Sequence, residues 1–64
     1  MNSDILEGRW KELKGEVKRK WGQLTDDQIH QIEGSHDRLI GAIQRSYGLT
    51  RHEAEKEVRS WLGR

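Results

Sequence analysis

Trp21-Gly22-Gln23-Leu24-Thr25-Asp26-Asp27-Gln28-Ile29 closes one helix and opens the next, and Tyr47-Gly48-Leu49-Thr50-Arg51-His52-Glu53-Ala54 does the same a second time. In each, an aromatic residue followed by glycine is a helix stop, because glycine enters the left-handed region without a Cβ penalty. The Leu-Thr that follows is a start. Thr25 can accept from the amide of Gln28 while the Gln28 side chain reaches back to the amide of Thr25, and Thr50 and Glu53 stand in the same reciprocal relation. Leu24 and Ile29 are spaced to pack across the cap as a hydrophobic staple, with Leu49 and Ala54 a weaker version. Asp26 and Asp27 then fall in a first turn, where the helix dipole favours negative charge.

Upstream of the first stop, Leu6, Trp10, Leu13, Val17 and Trp21 recur at steps of four and three, which predicts one helix from near Ser3 to Trp21 with a single apolar stripe. Asn2 or Ser3 can cap it, Lys18, Arg19 and Lys20 make a basic last turn, and Gly22 stands where a left-handed stop is expected. Between the two quoted stretches, Ile29 and Ile32 face inward on a short second helix ended by Gly34. Ser35 caps a third, carrying Leu39, Ile40, Ile43 and Tyr47. After Thr50 a fourth helix buries Ala54, Val58, Trp61 and Leu62 before Gly63. The spacing therefore predicts an all-α fold, a compact four-helix domain of two packed αα-hairpins.

A shift of 26 residues superposes Leu6-Glu7-Gly8 on Ile32-Glu33-Gly34, then Leu13, Gly15 and Val17 on Leu39, Gly41 and Ile43, and Trp21-Gly22 on Tyr47-Gly48. After a one-residue gap at Gln23 the two Leu-Thr starts align, with Gln28 over Glu53. The chain reads as an internal pseudo-repeat, each half a long helix followed by a shorter one, whether by duplication or by convergent helix-turn-helix logic.

Length and composition bound the rest. Sixty-four residues, 31% hydrophobic and 36% charged, allow one domain over residues 1–64 with a small core. No cysteine is present, so disulfides, thiolate zinc sites and cysteine nucleophiles are excluded. Twelve Lys and Arg against eleven Asp and Glu argue against a nucleic-acid or membrane binder driven by bulk charge. Apolar runs stop at two residues, far short of the roughly 20 of a membrane span or the roughly 7–15 of a secretory signal, so a soluble, cytoplasmic chain is expected.

The chemistry-bearing residues do not form a reaction centre. His30, His36 and His52 lack the His-x-x-x-His or Glu-x-x-His spacing of a metal site, and Ser3 and Ser35 are better used as caps than as nucleophiles. No glycine set has a phosphate-loop spacing, and a chain this short lacks the walls of an enclosed pocket. No enzymatic activity, metal or cofactor is expected. Gly8, Gly15 and Gly41 stand inside helices, where glycine costs about 1 kcal/mol relative to alanine; they mark either close approach by another backbone or a deliberately weakened helix.

Trp10-Lys11, Leu13-Lys14-Gly15, Val17-Lys18, Trp21-Gly22, Leu24-Thr25-Asp26-Asp27, Ile32-Glu33-Gly34, Gln44-Arg45, Tyr47-Gly48 and Ala54-Glu55-Lys56-Glu57-Val58, with Asn2, Asp37, Leu39, Gly41 and Ile43, together resemble the CsbD-like family of small bacterial stress proteins. The similarity runs over nearly the whole chain, and the W-x-x-x-K-G spacing with W-G-x-L-T-D-D and Y-G is specific. Ser35 and His36, in the loop Gly34-Ser35-His36-Asp37, depart from the more basic residues expected there. The resemblance implies two orthogonally packed α-hairpins and accumulation in the general stress response. It supplies no catalytic residues.

Trp10, Trp21, Tyr47 and Trp61 all fall on apolar stripes and read as core. Glu7 with Lys11, Glu16 with Lys20, and Glu55 with Arg59 are i,i+4 pairs in the favourable order. Lys11, Lys14 and Lys18 form one basic ridge beside the tryptophan stripe, with Lys14 and Lys18 lacking an equally placed acid; this ridge is the candidate for anion or nucleic-acid contact. The expected role is that of a monomeric, protective or protein-interaction module with an unidentified protein partner. The alternative is a weak nucleic-acid binder using Lys11, Lys14 and Lys18.

Overall fold

The computed structural model describes residues 2–63, with side chains from Ile5 onward. Its elements are α1 (Asn2–Gly8), α2 (Trp10–Lys20), α3 (Asp26–Ile32), α4 (His36–Tyr47) and α5 (Arg51–Leu62). The fold is all-helical. α2 packs on α3 and α4 on α5, which are the two expected hairpins; α3 packs on α4 to join them.

The starts form as the local chemistry requires. Thr25 Oγ1 accepts from the Gln28 amide at 3.1 Å and Gln28 Oε1 accepts from the Thr25 amide at 2.8 Å, a complete capping box. Thr50 and Glu53 repeat it at 3.1 and 2.9 Å. Ser35 Oγ accepts from the Arg38 amide at 3.3 Å and starts α4. The expected cap by Asn2 or Ser3 falls on side chains outside the described residues.

The first helix departs from expectation. Instead of running unbroken to Trp21, it turns at Arg9 (φ −118°, ψ 22°), which separates α1 from α2. The reason is tertiary. α3 has only seven residues, so a straight helix through Leu6 would overshoot the end of its hairpin partner and leave Leu6 in water. The turn lays α1 across α4 and α5 instead, and Leu6 is fully buried. The pseudo-repeat already contained this corner: the equivalent of Gly8 is Gly34, where α3 gives way to α4.

The core gathers Leu6, Leu13, Val17 and Trp21 from the first half, Leu24, Ile29 and Ile32 from the middle, and Leu39, Ile40, Ile43, Ala54, Val58 and Trp61 from the second hairpin. Ala42, outside the stripe of Leu39, Ile40, Ile43 and Tyr47, is buried as well. α4 meets α1, α3 and α5, so its buried arc is wider than one stripe. Trp10, Tyr47, Leu49 and Leu62 are partly buried at the margin of the core. Trp21 and Trp61 meet edge to face, centroids 5.2 Å apart, and Trp21 Nε1 donates to Glu57 Oε1 at 3.2 Å, tying the end of α2 to α5.

The glycines sort differently from their sequence reading. Gly22 has no left-handed backbone; α2 ends at Trp21 (φ −116°, ψ 71°), and the following turn is held by the Leu24 amide donating to the Trp21 carbonyl at 3.0 Å and the Gln23 amide donating to Tyr47 Oη at 3.1 Å. Gly34 is the position of close approach. Its φ is +82°, and a Cβ there would lie 2.9 Å from the Glu7 Cα and 3.3 Å from the Trp10 Cβ. α1 thus crosses the α3–α4 corner at the one glycine that allows it.

Candidate functional site

The basic ridge lies on the wall of an open groove between α2 and α3, with a volume of about 520 Å³. The hairpin is antiparallel, so residues spaced four and three along α2 face residues spaced likewise along α3. Lys11, Lys14, Gly15 and Lys18 line one side, and Asp26, Ile29, His30 and Glu33 the other. Trp10 stands at one end, where its Cβ is close to the Gly34 backbone.

The three lysines are not equivalent. Lys18 Nζ donates to the Leu24 carbonyl at 2.8 Å and pairs with Asp26 Oδ1 at 3.4 Å, so it fastens the turn between α2 and α3 and closes the far end of the groove. Its expected lack of an acidic partner is corrected by a contact across the turn that helical spacing does not reveal. Lys11 and Lys14 are exposed and make no hydrogen bond or ion pair among the described residues. The expected pairs Glu7–Lys11 and Glu55–Arg59 do not form among the described residues. Glu55 instead accepts from Arg51 Nε at 3.0 Å, while Arg51 Nη2 reaches Asp37 at 2.9 Å. The hydrogen bonds that Arg51 donates to Asp37 and then to Glu55 raise its pKa above the ordinary value.

Gly15 faces this groove with open space around it: no heavy atom lies within 4 Å of the position its Cβ would occupy. Gly8 is equally open, and at Gly41 a Cβ would meet only the Arg45 guanidinium, at 3.5 Å. Close backbone approach therefore does not account for Gly15 and Gly41 inside their helices, nor for Gly8, which stands at the end of α1 rather than inside an unbroken first helix. Gly41 lines a second open groove, between α3 and α4, of about 670 Å³, with Ile32 and Ala42. The two repeat-related glycines each open a groove onto α3, one on either side.

Among the described residues, His30, His36 and His52 do not gather with carboxylates into a group of three or more, and no helix is long and apolar enough to cross a membrane. Arg9–Glu12 and Arg51–Glu55 are local pairs three and four residues apart, but most polar side chains with defined partners start helices or tie them together. Tyr47, read as a core residue, is one of these, because its hydroxyl serves the Gln23 amide. Sequence spacing missed these long-range ties, since Lys18–Leu24, Trp21–Glu57 and Gln23–Tyr47 each cross a turn or a hairpin.

Comparison with known proteins places this architecture. The CsbD-like family model matches residues 4–56. UPF0337 protein YjbJ of Escherichia coli O6:H1 is 54% identical over 61 residues, covering 95% of this chain and 88% of that protein. A UPF0337 protein of Bordetella pertussis is 48% identical over 64 residues, covering 100% and 97%. A UPF0337 protein of Pectobacterium atrosepticum is 51% identical over 61 residues, covering 95% and 88%. No solved structure matches. The matched span takes in the α1–α2 corner, both capping boxes and both walls of the Gly15 groove, and the chain belongs to the CsbD-like family.

Proposed function

We propose that this chain is a non-enzymatic module of the bacterial stress response, soluble in the cytoplasm, that acts by engaging other proteins. The observation that carries the reading is the pair of open grooves flanking α3, each with an aliphatic floor and charges of both signs on its walls. Enclosed pockets bury a small molecule on most sides, whereas an open groove between helices accepts a side chain or a helix from a macromolecular partner.

The absence of native cysteine makes a single introduced thiol a unique crosslinking handle. Gln31 on α3 and Arg59 on α5 are both exposed, and Gln31 lines the α3–α4 groove whereas Arg59 lines neither groove, so Gln31→Cys and Arg59→Cys make a matched pair. With a thiol-directed photocrosslinker in stressed cells, Gln31→Cys is expected to recover proteins and Arg59→Cys far fewer. Equal recovery from both, or none from either, would overturn the reading. A second reading, weak nucleic-acid binding, is favoured by Lys11 and Lys14, which have no ion-pair partner among the described residues. It requires affinity that falls steeply with salt and is lost when both lysines are neutralised; no amide shift on adding oligonucleotide at low salt eliminates it.

A further inference from the structure

We propose that the groove between α2 and α3 is a docking slot for an acidic, amphipathic peptide segment of a partner protein, an apolar side chain entering at Gly15 and flanking carboxylates meeting Lys11 and Lys14. This deepens the protein-engagement reading and rests on it.

The slot is bounded. From Trp10 to Lys18 the α2 wall is about 12 Å long, at 1.5 Å per helical residue. One end is closed by Lys18 held on Leu24 and Asp26, the other by Trp10 against the Gly34 corner. Midway, Gly15 leaves a notch in the row of α2 side chains, with no heavy atom of the described residues within 4 Å of where its Cβ would lie. A glycine in the middle of a helix weakens it, and here the loss brings no closer packing. What the missing side chain does supply is open room on the α2 wall, in the groove that Ile29 also lines, for an apolar side chain of another chain to approach.

Charge complementarity selects the occupant. Lys11 and Lys14 are unpaired among the described residues and stand at the rim of the notch, while Asp26 is already matched by Lys18. A partner bearing carboxylates on either side of its apolar side chain satisfies both lysines. A phosphodiester strand fits less well. It would run its continuous negative charge past Asp26 and Glu33 on the α3 wall, and the lysine row that would track it has lost Lys18 to the turn.

The test uses the whole chain, ¹⁵N-labelled at low salt, with three probes: a synthetic peptide of about twelve residues with leucines one helical turn apart among glutamates, the same peptide with lysines in place of the glutamates, and a short oligothymidylate. The glutamate peptide is expected to shift the amides of Lys14, Gly15 and Ile29. Gly15→Leu, whose side chain has open space in which to fold, fills the notch and is expected to weaken binding by at least about tenfold. Lys14→Glu, which leaves the notch open, weakens it too, and Gly8→Ala, a comparable helix substitution outside the slot, does not.

Equal binding of the lysine peptide, shifts with oligothymidylate alone, no shift with any probe, or undiminished binding by both Gly15→Leu and Lys14→Glu would each overturn the proposal. Its failure is separable from failure of the broader reading. If proteins still crosslink to α3 in cells while the Gly15→Leu chain recovers them unchanged, protein engagement stands and the slot does not.

Discussion

Glycine has opposite consequences at different positions in this chain. At Gly15 and Gly8 a methyl group meets nothing, so Gly15→Ala and Gly8→Ala are each expected to stabilise the protein, by up to about 1 kcal/mol at Gly15 and less at Gly8 near its helix end. In a domain of this size that is a rise in melting temperature of roughly 4–8 °C per kcal/mol, readable by circular dichroism. Gly34→Ala goes the other way. It places a Cβ on a left-handed backbone, which costs about 1–2 kcal/mol, and drives it to 2.9 Å from the Glu7 Cα, so α1 must lift from the α3–α4 corner. A Gly34→Ala protein that melts no lower would contradict the crossing. Sequence position alone pointed to Gly8, Gly15 and Gly41 as candidates for close approach. The residue that performs it stands at a helix end, where glycine is ordinary, and only the path of α1 makes it indispensable.

At the level of elements, the starts of α3, α4 and α5 were legible because a cap is local chemistry. Donor, acceptor and backbone lie within three residues, and Thr25–Gln28 and Thr50–Glu53 adopt the geometry their spacing requires. α3 depends on this more than its neighbours, since its seven residues are too few for a helix to persist on propensity. Thr25→Ala is expected to cost about 1 kcal/mol and to raise hydrogen exchange in α3 before the rest of the molecule. Uniform acceleration across all helices would show that α3 has no separate opening. The end of α2 was not legible in the same way. Gly22 suggested a left-handed stop, but the turn is held by Lys18 from behind and Tyr47 from the opposite hairpin, and no local pattern encodes a partner 24 residues away.

Across the whole molecule, the tryptophans hold the two hairpins together. Trp21 is 2% exposed and Trp61 5%, and their edge-to-face contact joins the first half to the last helix. Trp21→Ala is expected to cost about 3–5 kcal/mol, enough to abolish cooperative unfolding in a domain with so small a core. A sharp, unshifted denaturant transition would refute that role. A double-mutant cycle with milder Trp21→Phe and Trp61→Phe substitutions should find a coupling of about 0.5–1.5 kcal/mol, the part of the contact beyond simple burial. The sequence by itself determined which residues are apolar, where most helices begin, and that the two halves of the chain carry a matching pattern of stops and starts. These follow from periods of three and four and from bonds within one turn. Tertiary structure decided that the first helix breaks at Arg9, that Gly34 is the crossing point, that Lys18 closes a groove while Lys11 and Lys14 remain open to solvent, and that Gly15 opens onto α3. Each depends on where a short α3 leaves its neighbours, a distance set by packing between segments far apart in the chain.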